Sequence, residues 1–264
     1  LMSLILPVFA YYSFTTTGWT TYIPVIWLFG AIPLIELLFK PDDQNHSETE
    51  EKSRLNDFIY DFQIFLMIPI QLFLLGYFLF AMQESGLTLV DKIGRISTMG
   101  VCCGVLGINV GHELGHRTTW YEKWMAKINL MTSLNMHFMH EHNKHHHQMV
   151  STPDDPATAR FGEPLFFFWF RSIFVVYRWA WRLEHQRLQK KGIPFFSWKN
   201  EMITDHLIQI GLLIGIGVFF NPATVGYFVL AAFMGHILLE TVNYIEHYGL
   251  QRERVGDRYE RVMP

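Results

Sequence analysis

Two short stretches, GHELGHRTTW (111–120) and HFMHEHNKHHHQMVSTPDDPA (137–157), carry eight of the chain's thirteen histidines, two in the first and six in the second. In GHELGH, His112 and His116 stand at i and i+4, so on a helix both imidazoles share one face and can reach a single metal ion. EHNKHHH repeats that spacing with His142 and His146, and His147 follows at once. Successive helical residues are rotated by about 100°, so His146 and His147 leave the helix on different sides and can serve two ions. A catalytic zinc takes three protein ligands and a water. Five neutral nitrogen donors exceed that need and suit two borderline metals such as iron.

A third element, GHILLETVNYIEHYG, places His236, Glu240, Asn243 and His247 on nearly one face of an otherwise apolar helix. Ionisable groups in a membrane helix are costly and line cavities or metal paths. His247, at the helix end where the other boxes lie, is a candidate ligand; His236, Glu240 and Asn243 sit deeper, with structural and ligand-orienting roles both open. Glu113, Glu141, His137 and Asp155 are further candidates to orient ligands from behind, since a ligating imidazole commonly donates its other N–H to a carboxylate. Asp154 shares that reading with an ordinary Asp-Pro turn, and Asn109 is divided between orienting His112 and plain burial. His140, His185 and His206 read as packing residues, His145 as solvated and His46 as a surface residue.

These groups need elements to hold them. Half of the 264 residues are hydrophobic, 16% are aromatic, and mean hydropathy is positive. A helix spans the hydrocarbon core with roughly 20 apolar residues, and such runs lie near 1–16, 19–39, 59–82, 93–112, 203–220 and 222–246. The expectation is one all-α membrane domain over 1–264, six helices in three hairpins, with a histidine-rich cap over 113–202 and no internal repeat. Of the 21 Lys and Arg, all but Lys92 and Arg95 fall in 40–58, in 113–202 or after 247. By the positive-inside rule those segments, and the metal site with them, face the cytoplasm of an inner membrane.

The run PLFFFWFRSIFVVYRWAWRLEH (164–185) is apolar but interrupted by Arg171, Arg178 and Arg182 on one helical face, with Trp169, Trp179 and Trp181 suited to the headgroup zone. It reads as a helix lying in the cytoplasmic interface. A formal net charge of −3 gives no basic field for nucleic acid. Cys102 and Cys103 are adjacent within a span, which disfavours a structural disulfide. Residue 1 is Leu, with no basic n-region or cleavage site of a signal peptide, as expected of a fragment.

The stretches NVGHELGHR, WMAKI, HFMHEHNKHHH, TPDDPATARFGE, LEHQRL and NYIEHYGLQR…RYE together resemble the integral-membrane alkane 1-monooxygenases, within the histidine-box superfamily of fatty-acid desaturases and hydroxylases. The resemblance runs from about residue 94 onward, and more faintly over FGAIPLIELLF. It implies a six-helix bundle with a non-haem di-iron site in which His112, His116, His142, His146, His147 and His247 match ligand histidines. It further implies O2-dependent hydroxylation of the terminal carbon of a medium or long alkane, with electrons from rubredoxin and its NADH-dependent reductase. The substrate would enter from the lipid bilayer, and Trp27, Leu28 and Phe29 are candidates to line its tunnel. Two departures stand out. His145 occupies a position that is usually glycine, and the family's HxxHH third box would fall beyond Pro264, in a continuation of the chain.

The closest rival is a membrane fatty-acyl desaturase or hydroxylase, or a xylene-type monooxygenase, which share the box spacing. From other classes, HExxH alone would suit a membrane zinc metalloprotease with Glu113 as base. A metal transporter or sensor would instead continue its ligands through the bilayer.

Overall fold

The computed structural model describes residues 4–39, 58–256 and 258–260. In chain order its helices are α1 (Ile5–Thr15), α2 (Gly18–Leu38), α3 (Phe58–Ala81), α4 (Leu89–His116), α5 (Trp120–Met131), α6 (138–149), α7 (Leu165–Lys190), α8 (Glu201–Phe219) and α9 (Pro222–His247). An antiparallel ribbon of β1 (Arg254–Val255) and β2 (Arg258–Tyr259) follows. Five helices, α2, α3, α4, α8 and α9, are long and apolar enough to cross a membrane, so the chain is an all-α integral membrane protein. These five are the candidate crossings among the described residues; the described part of α1 adds an apolar helix of 11 residues, about 16 Å of rise against the ~30 Å hydrocarbon core. The polar run 40–54, with His46, lies outside the described residues.

Local chemistry moves the span boundaries. α4 begins at Leu89 rather than 93 because Thr88 and Asp91 form a capping box, which satisfies two backbone donors the helix start would leave free. Asp91 also accepts from Gly18 N at 2.5 Å, tying the start of α2 to α4. Arg95, fully buried, donates to Ala81 O (2.7 Å) and Thr16 O (2.8 Å) and pairs with Glu84 (2.7 Å). It thus locks α1, α3 and α4 together at the end remote from the histidines.

Phe14, Leu74, Phe78, Met99 and Phe228 fill the core between α1, α3, α4 and α9. At Gly235 an added Cβ would meet Cys103 Cβ at 2.8 Å and Gly104 N at 3.1 Å, so α4 and α9 run backbone to backbone. That close approach sets the end of α9, with His247, beside the end of α4, with His112 and His116.

Residues Cys103–Asn109 of α4 form a π-helical segment, a feature frequent near functional sites. The carbonyls at this irregularity find side-chain donors in the segment that follows: Asn129 Nδ2 donates to Leu106 O (3.0 Å) and Ser133 Oγ to Cys103 O (2.9 Å). In consequence α5, which the sequence places in the cap, folds back along α4. Arg117 fixes its start, pairing with Asp61, Glu113 and Glu122.

α7 is not among the helices apolar enough to cross. It buries Phe168, Ser172, Val176, Ala180, Glu184 and Leu188, one residue per turn, and exposes Phe166, Phe167, Phe170 and Phe174. Trp169 donates to Thr241 Oγ1 (3.1 Å), Trp179 stacks on His145 and Trp181 packs beside His206. Their rings have partners inside the protein, and phenylalanine supplies the outer apolar face.

Candidate metal centre

α4 and α6 meet so that His112, His116, His142 and His147 each offer a ring nitrogen within 4.8 Å of the other three. The Nε2 atoms of His112 and His142 are 2.7 Å apart, those of His112 and His116 2.8 Å, and those of His116 and His147 3.3 Å. Hydrogen bonds alone cannot satisfy this arrangement. A neutral ring nitrogen carries either one proton or one lone pair, yet the Nε2 atoms of His112 and His116 each face two others. A cation at the centre gives every lone pair a partner, and ligands at ~2.0–2.1 Å around one ion lie about 2.9–3.4 Å from each other. The His112 pairs at 2.7 and 2.8 Å would thus open slightly on binding, while His116–His147 at 3.3 Å already fits. The donor set therefore fits a borderline metal.

The geometry redistributes the second box. His142–His146 is a π-helical segment, so one turn there takes an extra residue. His142 consequently shares the cluster with His147, at i+5, and not with His146 at i+4 as α-helical spacing predicted. His146 turns away toward α9: its ring centroid is 5.2 Å from that of His247, and Asp155 Oδ2 accepts from its Nδ1 at 3.1 Å. The His146 ring also stacks on that of His142, with centroids 5.0 Å apart, so His146 and His247 continue outward from the four-imidazole group.

Phe138, buried, stacks on His142 with centroids 4.5 Å apart and meets His112 edge-on at 5.9 Å. Burial, and then the neighbouring imidazoles, hold the His142 pKa below its usual value; burial does the same to His147. Both favour the neutral form that ligates metal. At His146 burial pulls downward, but the hydrogen bond and charge of Asp155 outweigh it and raise the pKa. Burial pushes Glu141 up to about 8, with His146 opposing and Asp155 and Glu240 adding to it. Three carboxylates, Glu141, Asp155 and Glu240, thus lie close enough to His146 to act on it.

The loop TPDDPATARFGE presents Asp155. Thr158 Oγ1 and Ala157 N donate to its carboxylate at 2.5 and 3.1 Å. Arg171 holds the loop from α7 through Pro156 O, Thr158 O and Glu163, and Arg252 grips the segment before it through Gln148 O and Val150 O. On the far side of α6, His140 meets Asp205 of α8 at 2.9 Å, and Lys127 pairs with the same carboxylate at 3.0 Å.

The remaining sequence candidates divide. Glu240 is buried near His146, with Asn243 3.4 Å away. Glu113 is exposed and pairs with Arg117. His137 lies apart from the cluster, its ring against Tyr177 and His236, and His236 is held by Ser133 O at 3.0 Å. His145 is buried, not solvated: it stacks on Trp179 and reaches Asp154 O at 3.2 Å. In α2, Trp27 meets Phe9 edge-on and Leu28 packs on the core, whereas Phe29 is 51% exposed. Sequence reasoning missed Phe138, Thr158 and Trp179; only Thr158, three residues after Asp155, carried a local signal.

Residues 93–263 match the fatty acid desaturase family model. The chain belongs to the fatty acid desaturase family. Across nearly its whole length it is also similar to alkane 1-monooxygenases. Identity is 33% to alkane 1-monooxygenase 1 of Alcanivorax borkumensis over 98% of this chain and 64% of that protein. It is 34% to alkane 1-monooxygenase of Pseudomonas putida, over 94% and 62%, and 38% to alkane 1-monooxygenase 1 of Pseudomonas aeruginosa, over 90% and 63%. The chain therefore spans somewhat under two thirds of the length of each. The similarity begins well before the first histidine box, so it includes the spanning helices.

Proposed function

We propose that this protein is an alkane 1-monooxygenase: an integral membrane oxidoreductase that uses O2 to convert a medium- or long-chain alkane to the 1-alkanol and water. The observation that carries the reading is the convergence of four imidazoles at one end of an apolar bundle, with two more continuing outward from them, in a chain this similar to alkane 1-monooxygenases. His112, His116, His142 and His147 would hold one iron. His146 and His247 would belong to the second, within a single membrane domain.

When bound, the iron pair supplies the activation of O2 that no side chain can provide. The chain's own residues do the rest. Phe138 fixes the ring planes of His142 and His112. Asp155 accepts a hydrogen bond from the Nδ1–H of His146, which would leave Nε2 free to ligate and sets the ring's orientation. The apolar faces of α2, α3, α4 and α9 dissolve an alkane and exclude water, and Trp27 and Leu28, turned inward, are the better placed tunnel residues. The basic end of the bundle would face the cytoplasm, where rubredoxin, reduced by its NADH-dependent reductase, would deliver two electrons per turnover.

In the protease alternative a single zinc would occupy the cluster and Glu113 would act as its base. Metal analysis of the purified full-length protein tests the proposal. Two irons per chain are expected; a single zinc without iron overturns it.

A further inference from the structure

His145 lies beside the metal ligands in sequence but takes no part in the four-nitrogen cluster. Its ring is parallel to the indole of Trp179, with centroids 4.1 Å apart and planes 20° apart, which is tight aromatic stacking. The guanidinium carbon of Arg182 sits 4.8 Å from the centre of the same indole, within the range of a cation–π contact. Arg182 and Arg178, one turn apart on α7, are both exposed. The ion pairs that α7 makes among the described residues use Arg171, Glu184 and Arg187 instead. Among the described residues neither Arg178 nor Arg182 forms an ion pair, so two exposed cations lie on α7 here, Arg182 against Trp179 itself. From there a continuous chain of matter leads inward: indole, stacked imidazole, one peptide unit, then His146 at the second metal position.

The proposed reaction needs electrons from outside, and electron tunnelling decays steeply with distance, least steeply through bonds and stacked rings. We propose that Trp179 and His145 are the electron entry route to the metal centre, and that Arg178 and Arg182 seat an acidic one-electron carrier protein over it. The inference rests on the monooxygenase reading. In each transfer the reduced carrier loses one electron and the ferric centre gains one; the indole and imidazole end as they began. Two transfers supply the pair consumed with each O2. Opposite charge across such a contact raises the association rate and makes it sensitive to salt.

The test uses metal-loaded, full-length protein in lipid nanodiscs, with reduced rubredoxin as the probe carrier and dithionite as a small reductant that needs no docking site. Trp179→Leu should slow reduction by rubredoxin roughly tenfold, about 1.4 kcal/mol of barrier, with iron content and the dithionite rate unchanged. Trp179→Phe, which keeps a stacked ring, should recover much of the rubredoxin rate. Arg178→Glu with Arg182→Glu should weaken rubredoxin binding and flatten its salt dependence. An unchanged rubredoxin rate in Trp179→Leu with iron retained overturns the route, as does equal slowing by both reductants. Loss of iron in both Trp179 variants assigns the ring to holding the cap, which also overturns it. Wild-type protein that binds no redox-active metal overturns the monooxygenase reading itself, a result distinct from the others.

Discussion

The six histidines are not equivalent, and single substitutions should separate them. His147→Ala removes a donor from the four-imidazole position and should lower iron there while the second position keeps its metal. His146→Ala and His247→Ala should do the reverse; metal counting with a site-sensitive spectroscopy distinguishes the two patterns. Asp155→Asn keeps the shape but loses the charge behind His146, and loss of such a partner costs about 10–100-fold in metal affinity. Titration with ferrous ion under anaerobic conditions would measure it. The clustering of His112, His116, His142 and His147 was legible in the sequence because imidazole spacing is a local property. The pairing within the second box was not. α-Helical periodicity joins His142 to His146, whereas the π-helical segment at His142–His146 joins His142 to His147, and nothing in EHNKHHH announces the extra residue per turn.

Among the elements, α4 and α9 matter most because their backbone-to-backbone contact at Gly235 fixes the helix that carries the first box against the helix that carries His247. Gly235→Ala would push a Cβ against Cys103 and Gly104, and overpacking of this kind costs about 1–3 kcal/mol. The expected result is a lower unfolding temperature in detergent together with weaker metal retention at the second position. The spans themselves were readable from hydropathy to within a few residues. Their ends were not, because Thr88 and Asp91 cap α4 through side-chain bonds that hydropathy ignores. The course of α5 was not readable either: Asn129 within it and Ser133 just after it are the donors to the π-helical carbonyls of α4, a pairing that no local pattern announces.

For the molecule as a whole, the cap stays in register with the bundle through buried charge. Glu184 of α7, fully buried, accepts two bonds from Arg187 (2.6 and 2.7 Å) and one from Glu201 N (2.7 Å) at the start of α8. Burial pushes its pKa up, but the Arg187 bonds and the Glu201 amide outweigh that and hold it below its ordinary value of 4.5. A carboxylate depressed on folding contributes stability that is complete above the unfolded pKa and is lost as pH falls through the folded one. Acid unfolding should therefore steepen below 4.5, and Glu184→Gln should be less stable near neutrality with a shallower acid slope; a pH series of thermal melts would show both. The central claim concerns chemistry, and one measurement reaches it most directly: mass spectrometry of the products when the reduced, iron-loaded full-length protein receives octane and isotopically labelled O2. The account predicts 1-octanol carrying the labelled oxygen. Octene, or octanol whose oxygen comes from water, would contradict it.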